Sequence, residues 1–571
     1  MHENRDREDV PAHLLSRRQT LPVLAGILGV TGLRAARGEQ TADPELNAGA
    51  GVFNIRAYGA AGNGETLDTA ALQKAIDACA AAGGGTVLVP AGTFLIGSVE
   101  LKSNVRLWIA ADGRLLGSAR GADYHPVNAI PLSGDSTLED GNWALLYAVN
   151  RRNIAIEGPG TIDGQGIRFH SPARGLPPPS GIGGSRRPYL LLLYRCVNLR
   201  VRDIDLLDSA YHSVRIIQSH RVSMEGIYIH NRVNQNNDGF HFISCEFVTV
   251  SNCTVLSQDD ACALFGSCRV VTITNCSFST RWSCFRFGGG VARDIAVSNC
   301  ILHQVFGCPI KFHGAPGSRF ENMSFSNLIL DEVTGPISIS IGPRPPESGS
   351  SPVEAVPAEP GEPAVARNIS FSNIHGTVTT NPPQLPGYPF PSSYRPGELH
   401  SCISLNCVGD AILEKISFEN IYLTFGGGGT AEDATRRQLP DIVGEYFVLG
   451  PMPAYGFYAR NARALTLSNI RFEVASPDLR PALILDRVRD VVVSGLSVEG
   501  NPDAESALRL IDARQVLLTA PRLLGGAKTF LQVEGASNDG ILVEGGDLTR
   551  AQQKLALVNG APAASVRLYP G

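Results

Sequence analysis

The sequence predicts a right-handed, single-stranded parallel β-helix with an N-terminal capping helix. Three observations carry that expectation. First, a short motif recurs: Phe247–Cys253 returns as Val270–Cys276 and again as Asp294–Cys300, so its Asn-Cys pair repeats after 23 and then 24 residues. Second, each copy alternates apolar and polar residues and then breaks at Asn or Gly, which is the period of a strand and not of a helix. Third, further copies end at Asn327-Leu328, Asn373-Ile374, Asn420-Ile421 and Asn469-Ile470, with earlier ones at Asn153-Ile154 and Asn198-Leu199. Strands this short hold no core alone, so stacked coils must bury one another. The wider gaps of 28, 46, 47 and 49 residues between the later copies read as one or two coils plus loop insertions.

Along the chain, residues 1–38 look like an export signal. Ser16-Arg17-Arg18-Gln19-Thr20-Leu21 fits a twin-arginine pattern, Leu21 to Leu33 is weakly apolar, and Ala35-Ala36-Arg37-Gly38 offers a cleavage site. The apolar run is too short for a stable membrane span, and the protein is expected outside the cytoplasm, periplasmic or extracellular. The rest, 50–571, is expected to be one β-helix domain. Phe53 to Gly64 reads as strand and loop. Thr66 to Ala82 reads as an amphipathic helix with Asp68 or Thr69 at its N-cap and Gly83-Gly84-Gly85 as its stop. A solenoid end exposes unpaired strand edges, so this helix is assigned to capping.

Twelve cysteines follow the repeat. Cys253, Cys276 and Cys300 form one ladder; Cys262, Cys284 and Cys308 a second; Cys245 and Cys268 a third. That spacing favours small apolar side chains stacked inside the coils, with a few disulfides left open. Two Pro-rich stretches, near 345–364 and 381–399, read as loop insertions, and Gly426–Gly429 as a mobile loop. Beyond about residue 500 the repeats weaken, consistent with further coils or a C-terminal cap. The net charge of −5, with no basic block, argues against a nucleic-acid partner. Oligomeric state is not legible.

The chemistry concentrates at three aspartates. Asp238 lies in Asn236-Asn237-Asp238-Gly239 and Asp259 and Asp260 in Ser257-Gln258-Asp259-Asp260; Asp238 and Asp259 are 21 residues apart, close to one coil. Residues one coil apart lie about 4.8 Å from each other. Three clustered carboxylates on an exported chain point to acid–base hydrolysis of a carbohydrate, with a polysaccharide or oligosaccharide as partner. Such a reaction requires no metal and no cofactor. A turn-forming role for Asp259-Asp260 is the plainer alternative.

These segments resemble a known family. Phe53–Gly64, the helix and Gly85–Phe94 are similar to the N-terminal end of pectin-lyase-fold proteins, and Gly158–Gly166 resembles a turn of glycoside hydrolase family 28, the polygalacturonases and their relatives. Asn236-Asn237-Asp238-Gly239 resembles that family's Asn-Thr-Asp-Gly, Gln258-Asp259-Asp260 its Gly-Asp-Asp, and Pro453–Arg460 a segment of its bacterial members. The resemblance implies an inverting glycosidase in which Asp259 is the general acid while Asp238 and Asp260 activate water.

There are departures as well. The family's Gly-His-Gly region reads Ser279–Gly288 here, without histidine, and Arg-Ile-Lys becomes Pro309-Ile310-Lys311. In polygalacturonases that Arg and Lys hold a uronate carboxylate. Lys311 keeps its place in the motif, and Arg286 or Arg281 would replace the missing arginine. His241 and His313 are further candidates for a sugar hydroxyl or for tuning a carboxylate, and alternation puts Lys311 and His313 on one strand face. Two rival readings stay open. One is a polysaccharide lyase with Lys311 as base and calcium on the aspartates; the other is a non-catalytic carbohydrate-binding β-helix.

Overall fold

The computed structural model describes residues 51–133, 138, 141–169, 187–343, 362–383 and 396–569. The expected export segment and most of the two Pro-rich insertions lie outside those residues.

Alternation dictates the architecture. On each strand one set of side chains faces inward and the other outward, so a coil closes around an apolar stack. Phe240 and Phe242 sit in the core, then Cys262 and Leu264, Phe285 and Phe287, Ile310 and Phe312, coil upon coil. Ring stacking extends this column elsewhere: Phe325, Phe371 and Phe418 follow one another at 5.2 and 4.8 Å. Such pairs contribute about 0.5–1.5 kcal/mol each beyond their buried area. The result is a parallel β-helix whose described strands form parallel sheets of 27 and 15 strands.

The recurring asparagine has a geometric cause. Asn252, Asn275, Asn299, Asn327, Asn373, Asn420 and Asn469 all have φ between 51° and 57°, the left-handed corner that Asn tolerates. Their side chains then bond to each other up the stack: Asn327 donates to Asn299 at 3.0 Å, Asn373 to Asn327 at 3.0 Å, Asn420 to Asn373 at 2.9 Å and Asn469 to Asn420 at 2.8 Å. The wide gaps are thereby settled as one coil each plus an insertion, since Cys300 faces Leu328, Leu328 faces Ile374, Ile374 faces Ile421 and Ile421 faces Ile470.

All twelve cysteines are buried free thiols. The ladder Cys253–Cys276–Cys300 is in register, as is Cys245 with Cys268. The second expected ladder is not: Cys262 faces Phe285, so Cys284 is one residue out of line.

The helix spans Thr69–Ala81 and buries Ala71, Leu72, Ala75, Ile76 and Cys79. Asp68 is its N-cap, but the carboxylate turns back to accept from Ala61 N and Gly62 N at 2.7 and 2.9 Å. Coils continue past residue 500 through Leu508–Ile511, Ala527–Glu534 and Ala551–Val558. The Gly426–Gly429 run opens not a bare loop but a folded insertion between strands Ile412–Phe425 and Phe457–Arg460, with short helices at Ala431–Thr435 and Tyr446–Leu449. Among the described residues no helix is long and apolar enough to cross a membrane.

Candidate active site

The outward face of the 15-stranded sheet carries the candidate residues. In register, Arg215, His241, Ala263, Arg286 and Lys311 occupy one column over strands from Val214–Ile217 to Ile310–Gly314. His313 shares the face of Lys311, because Ile310 and Phe312, which alternate with them, belong to the core.

The aspartates end the turns that lead into two of these strands. Asn237 builds the first turn: its Oδ1 accepts from Val233 N and Asn234 N at 3.1 and 2.6 Å, and its Nδ2 donates to Ser209 O and Tyr211 O. Gly239 is required by close approach, since a Cβ there would lie 2.5 Å from Ala261 O and from Val255 Cγ1. Gly239 N donates to Asp260 O at 3.0 Å, so Asp238 stacks on Asp260 across 22 residues. The 21-residue spacing to Asp259 is therefore a near miss, and it is Asn237 that lies against Asp259.

Each carboxylate has its own surroundings. Asp238 is buried, with Oδ2 2.7 Å from His241 Nδ1 and Oδ1 3.6 Å from His212 Nε2. The two imidazoles stack at 4.7 Å, and Arg215 Nη1 lies 3.1 Å from His212 Nδ1 and 3.4 Å from His241 Nδ1. Arg215 can only donate, so His212 Nδ1 accepts. The shorter contact makes His241 Nδ1 the donor to Asp238. Burial first, then the positive charge of Arg215 and neighbouring groups, holds both histidines well below their usual range, hence neutral. His212, Asp238 and His241 have the ligand types of a metal site. The guanidinium against both rings already places a cation there, which works against a second.

Asp259 is half-buried. Its Oδ1 accepts from Asp260 N at 2.8 Å, and its carbonyl is fixed by Ser257 Oγ and Thr280 Oγ1 at 2.7 and 2.5 Å. Burial and the adjacent Asp260 push its carboxyl up to about 7, with Lys311 opposing. Asp260 is 8% exposed, and its Oδ1 is buried without a hydrogen-bond partner in the protein. A buried acceptor of that kind is costly unless a solvent or substrate donor meets it.

Lys311 Nζ donates to Glu445 Oε1 at 3.1 Å, and Arg286 Nη1 lies 3.4 Å from the same oxygen and 3.2 Å from His313 Nδ1. Arg281, the other candidate substitute, is committed elsewhere: its Nη1 is 3.0 Å from Glu398 Oε1 in a buried pair. The structure thus brings Asp238, Asp259, Asp260 and His241 together, places Arg286, Lys311 and His313 beside them, and pairs Arg281 with Glu398, which lines the same space as Lys311 and Glu445. His212, Arg215 and Glu445 were not singled out in the sequence. His212 lies one coil before Asp238 and Arg215 one coil before His241, so register alone would have found them.

Residues 79–385 match the model of the glycosyl hydrolases family 28, and the chain belongs to that family. It is 31% identical over 221 residues to a probable polygalacturonase of Vitis vinifera, covering 36% of this chain and 43% of that one. It is 30% identical over 344 residues to an exo-poly-alpha-D-galacturonosidase of Dickeya chrysanthemi, covering 49% and 56%. The chain therefore spans about half the length of these curated relatives. A family 28 exopolygalacturonase of Yersinia enterocolitica superposes with a TM-score of 0.55 at 19% identity, over 78% of each chain, and shares the fold.

Proposed function

We propose that the chain is an exported, inverting glycoside hydrolase that cleaves a pectin-type or related polysaccharide with Asp238, Asp259 and Asp260. Asp259 donates a proton to the leaving glycosidic oxygen. Asp260 and Asp238 accept from the attacking water, which approaches the opposite face of the sugar. His241 and His212 hold the Asp238 carboxylate, and Arg215 keeps the rings oriented while remaining the nearest cation.

The observation that carries this reading is the divergence of the paired acids. Asp259 is held near 7 and so keeps a proton that a half-buried aspartate would ordinarily lose, whereas Asp260 next to it offers a buried, unpartnered oxygen. A carboxyl that keeps its proton, beside one whose buried oxygen is open to a donor, suits acid and base roles. The substrate class comes from the relatives named above, which act on polygalacturonate by name. A calcium-dependent lyase fits less well: it needs the carboxylates ionised and open to one ion, but Asp238 is engaged by His241, and Lys311, its base, is paired with Glu445. On the same reading the Thr69–Ala81 helix seals the first coils.

Purified protein incubated with polygalacturonate, its methyl ester, rhamnogalacturonan and neutral glycans tests the proposal. Reducing ends without near-ultraviolet absorbance are expected, whereas absorbance rising in step would mean elimination.

A further inference from the structure

The folded insertion at 426–456 delivers a carboxylate to the cations beside the aspartates. Glu445 Oε1 is shared by Lys311 Nζ and Arg286 Nη1, at 3.1 and 3.4 Å. Its position is fixed from both sides. The next residue, Tyr446, is buried, and its hydroxyl lies 2.9 Å from Ile337 O and 2.6 Å from Cys402 O. Earlier in the segment, Leu439 O and Pro440 O accept from the buried Arg460 of the following strand at 2.8 and 3.0 Å. Arg436 Nη1 reaches Pro451 O at 2.6 Å.

Electrostatics agrees with that geometry. Burial alone would raise the Glu445 carboxyl, but Lys311 and then Arg286 outweigh it and hold it below its usual range. The two positive charges therefore already serve one resident anion. Tyr446, Phe447 and a second carboxylate, Glu398, which is paired with Arg281, line the confined space around Lys311 with Glu445.

The neighbouring coil offers a different kind of contact. Trp282 N is held by Thr280 Oγ1 at 3.1 Å, and the same hydroxyl fixes the carbonyl of Asp259 at 2.5 Å. The indole is only half-buried and stands edge-on to Phe447 at 5.8 Å. Its ring faces cations already, with Arg281 Cζ 4.7 Å and Lys311 Nζ 5.7 Å from the ring centroid, so the indole adds to the set of groups that hold these charges in place.

We propose that Glu445 is a resident counter-ion that fits the Arg286–Lys311 subsite to a sugar whose carboxyl group is esterified or absent. The inference rests on the hydrolase reading above and narrows its substrate to residues uncharged at this subsite.

Binding tests it apart from turnover. In an Asp259→Asn background, calorimetry compares galacturonate oligosaccharides in ionised and fully methyl-esterified form. The esterified ligand should bind about tenfold tighter. Adding Glu445→Gln should strengthen binding of the ionised ligand about tenfold, the scale of one charge-assisted hydrogen bond. Glu445→Asp, which keeps the charge, should retain the original preference, and thermal melts verify that each variant is folded. A preference for the ionised ligand with Glu445 in place, or an affinity ratio unmoved by Glu445→Gln, would overturn the proposal. Absence of hydrolysis on every glycan by the wild-type chain would count against the hydrolase reading alone, since the affinity ratio is read without turnover. Failure to bind either oligosaccharide would overturn both.

Discussion

Asp238 and Asp260 occupy the same place in successive coils, joined by the hydrogen bond from Gly239 N to Asp260 O at 3.0 Å. Asp259 stands one residue aside, its N–H donating to Asn237 O at 3.2 Å. This offset gives three neighbouring carboxyls three environments: one tied to a neutral histidine, one with an unpartnered buried oxygen, and one that keeps its proton to about pH 7.

The protonation of Asp259 has a kinetic signature. The proposed acid is competent below its raised value and incompetent above it, so kcat/KM should fall as pH rises through about 7. Lys311 stabilises the charged form, so Lys311→Met should raise the value further and move this alkaline limb upward. A pH–rate profile of the two proteins checks the direction, and a downward shift would contradict the assignment.

Stability should carry the same signature with the opposite benefit. The Asp259 value rises from 3.8 in the unfolded chain to about 7 when folded, so in that window the folded state holds a proton the unfolded chain has released. Stability therefore falls as pH rises across that window. Asp259→Asn removes this linkage. Its melting temperature should exceed that of the wild type at neutral pH and match it below about pH 4. Equal melting temperatures at both pH values would mean that Asp259 is not held protonated.

His241→Ala removes the 2.7 Å donor to the Asp238 carboxylate. Urea unfolding should show a loss of about 1–3 kcal/mol. If His241 serves to hold the proposed base, kcat should fall more than KM changes. A variant with unaltered kcat would confine His241 to packing.

The twelve cysteines are buried free thiols, not bridges. Thiol titration after denaturation without reductant should therefore return twelve groups per chain. The melting temperature should be the same with and without dithiothreitol. Fewer groups, or a reductant-dependent transition, would reveal disulfides.

Tyr446 links the insertion to the sheet through contacts with Ile337 O and Cys402 O. Tyr446→Phe leaves buried carbonyls without that donor and should cost about 1–3 kcal/mol. Limited proteolysis should then cut within 426–456 sooner than in the wild type. Unchanged cleavage would show that the insertion is held by other contacts.

What the sequence made legible was whatever repeats. Asn299, Asn327, Asn373, Asn420 and Asn469 announce the coils because each must adopt a left-handed backbone and bond to the next. Alternation correctly put Lys311 and His313 on one face. Register to the single residue was harder to read. Coils near the site are 22 to 26 residues long, so a 21-residue interval misplaced Asp259 over Asp238, and Cys284 fell out of its expected ladder. Glu445 was out of reach for another reason. It lies 134 residues from Lys311, in an insertion with no periodicity, and only the folding of that segment against the sheet brings the charges together.

The central claim is that Asp259 is the proton donor of a glycoside hydrolase, and product release by Asp259→Asn beside the wild type tests it most directly. On the glycan the wild-type chain degrades, reducing ends and near-ultraviolet absorbance are followed together. The account predicts reducing ends without absorbance for the wild type and near-complete loss of product for a variant that still melts cooperatively. Wild-type-like turnover by Asp259→Asn would contradict it.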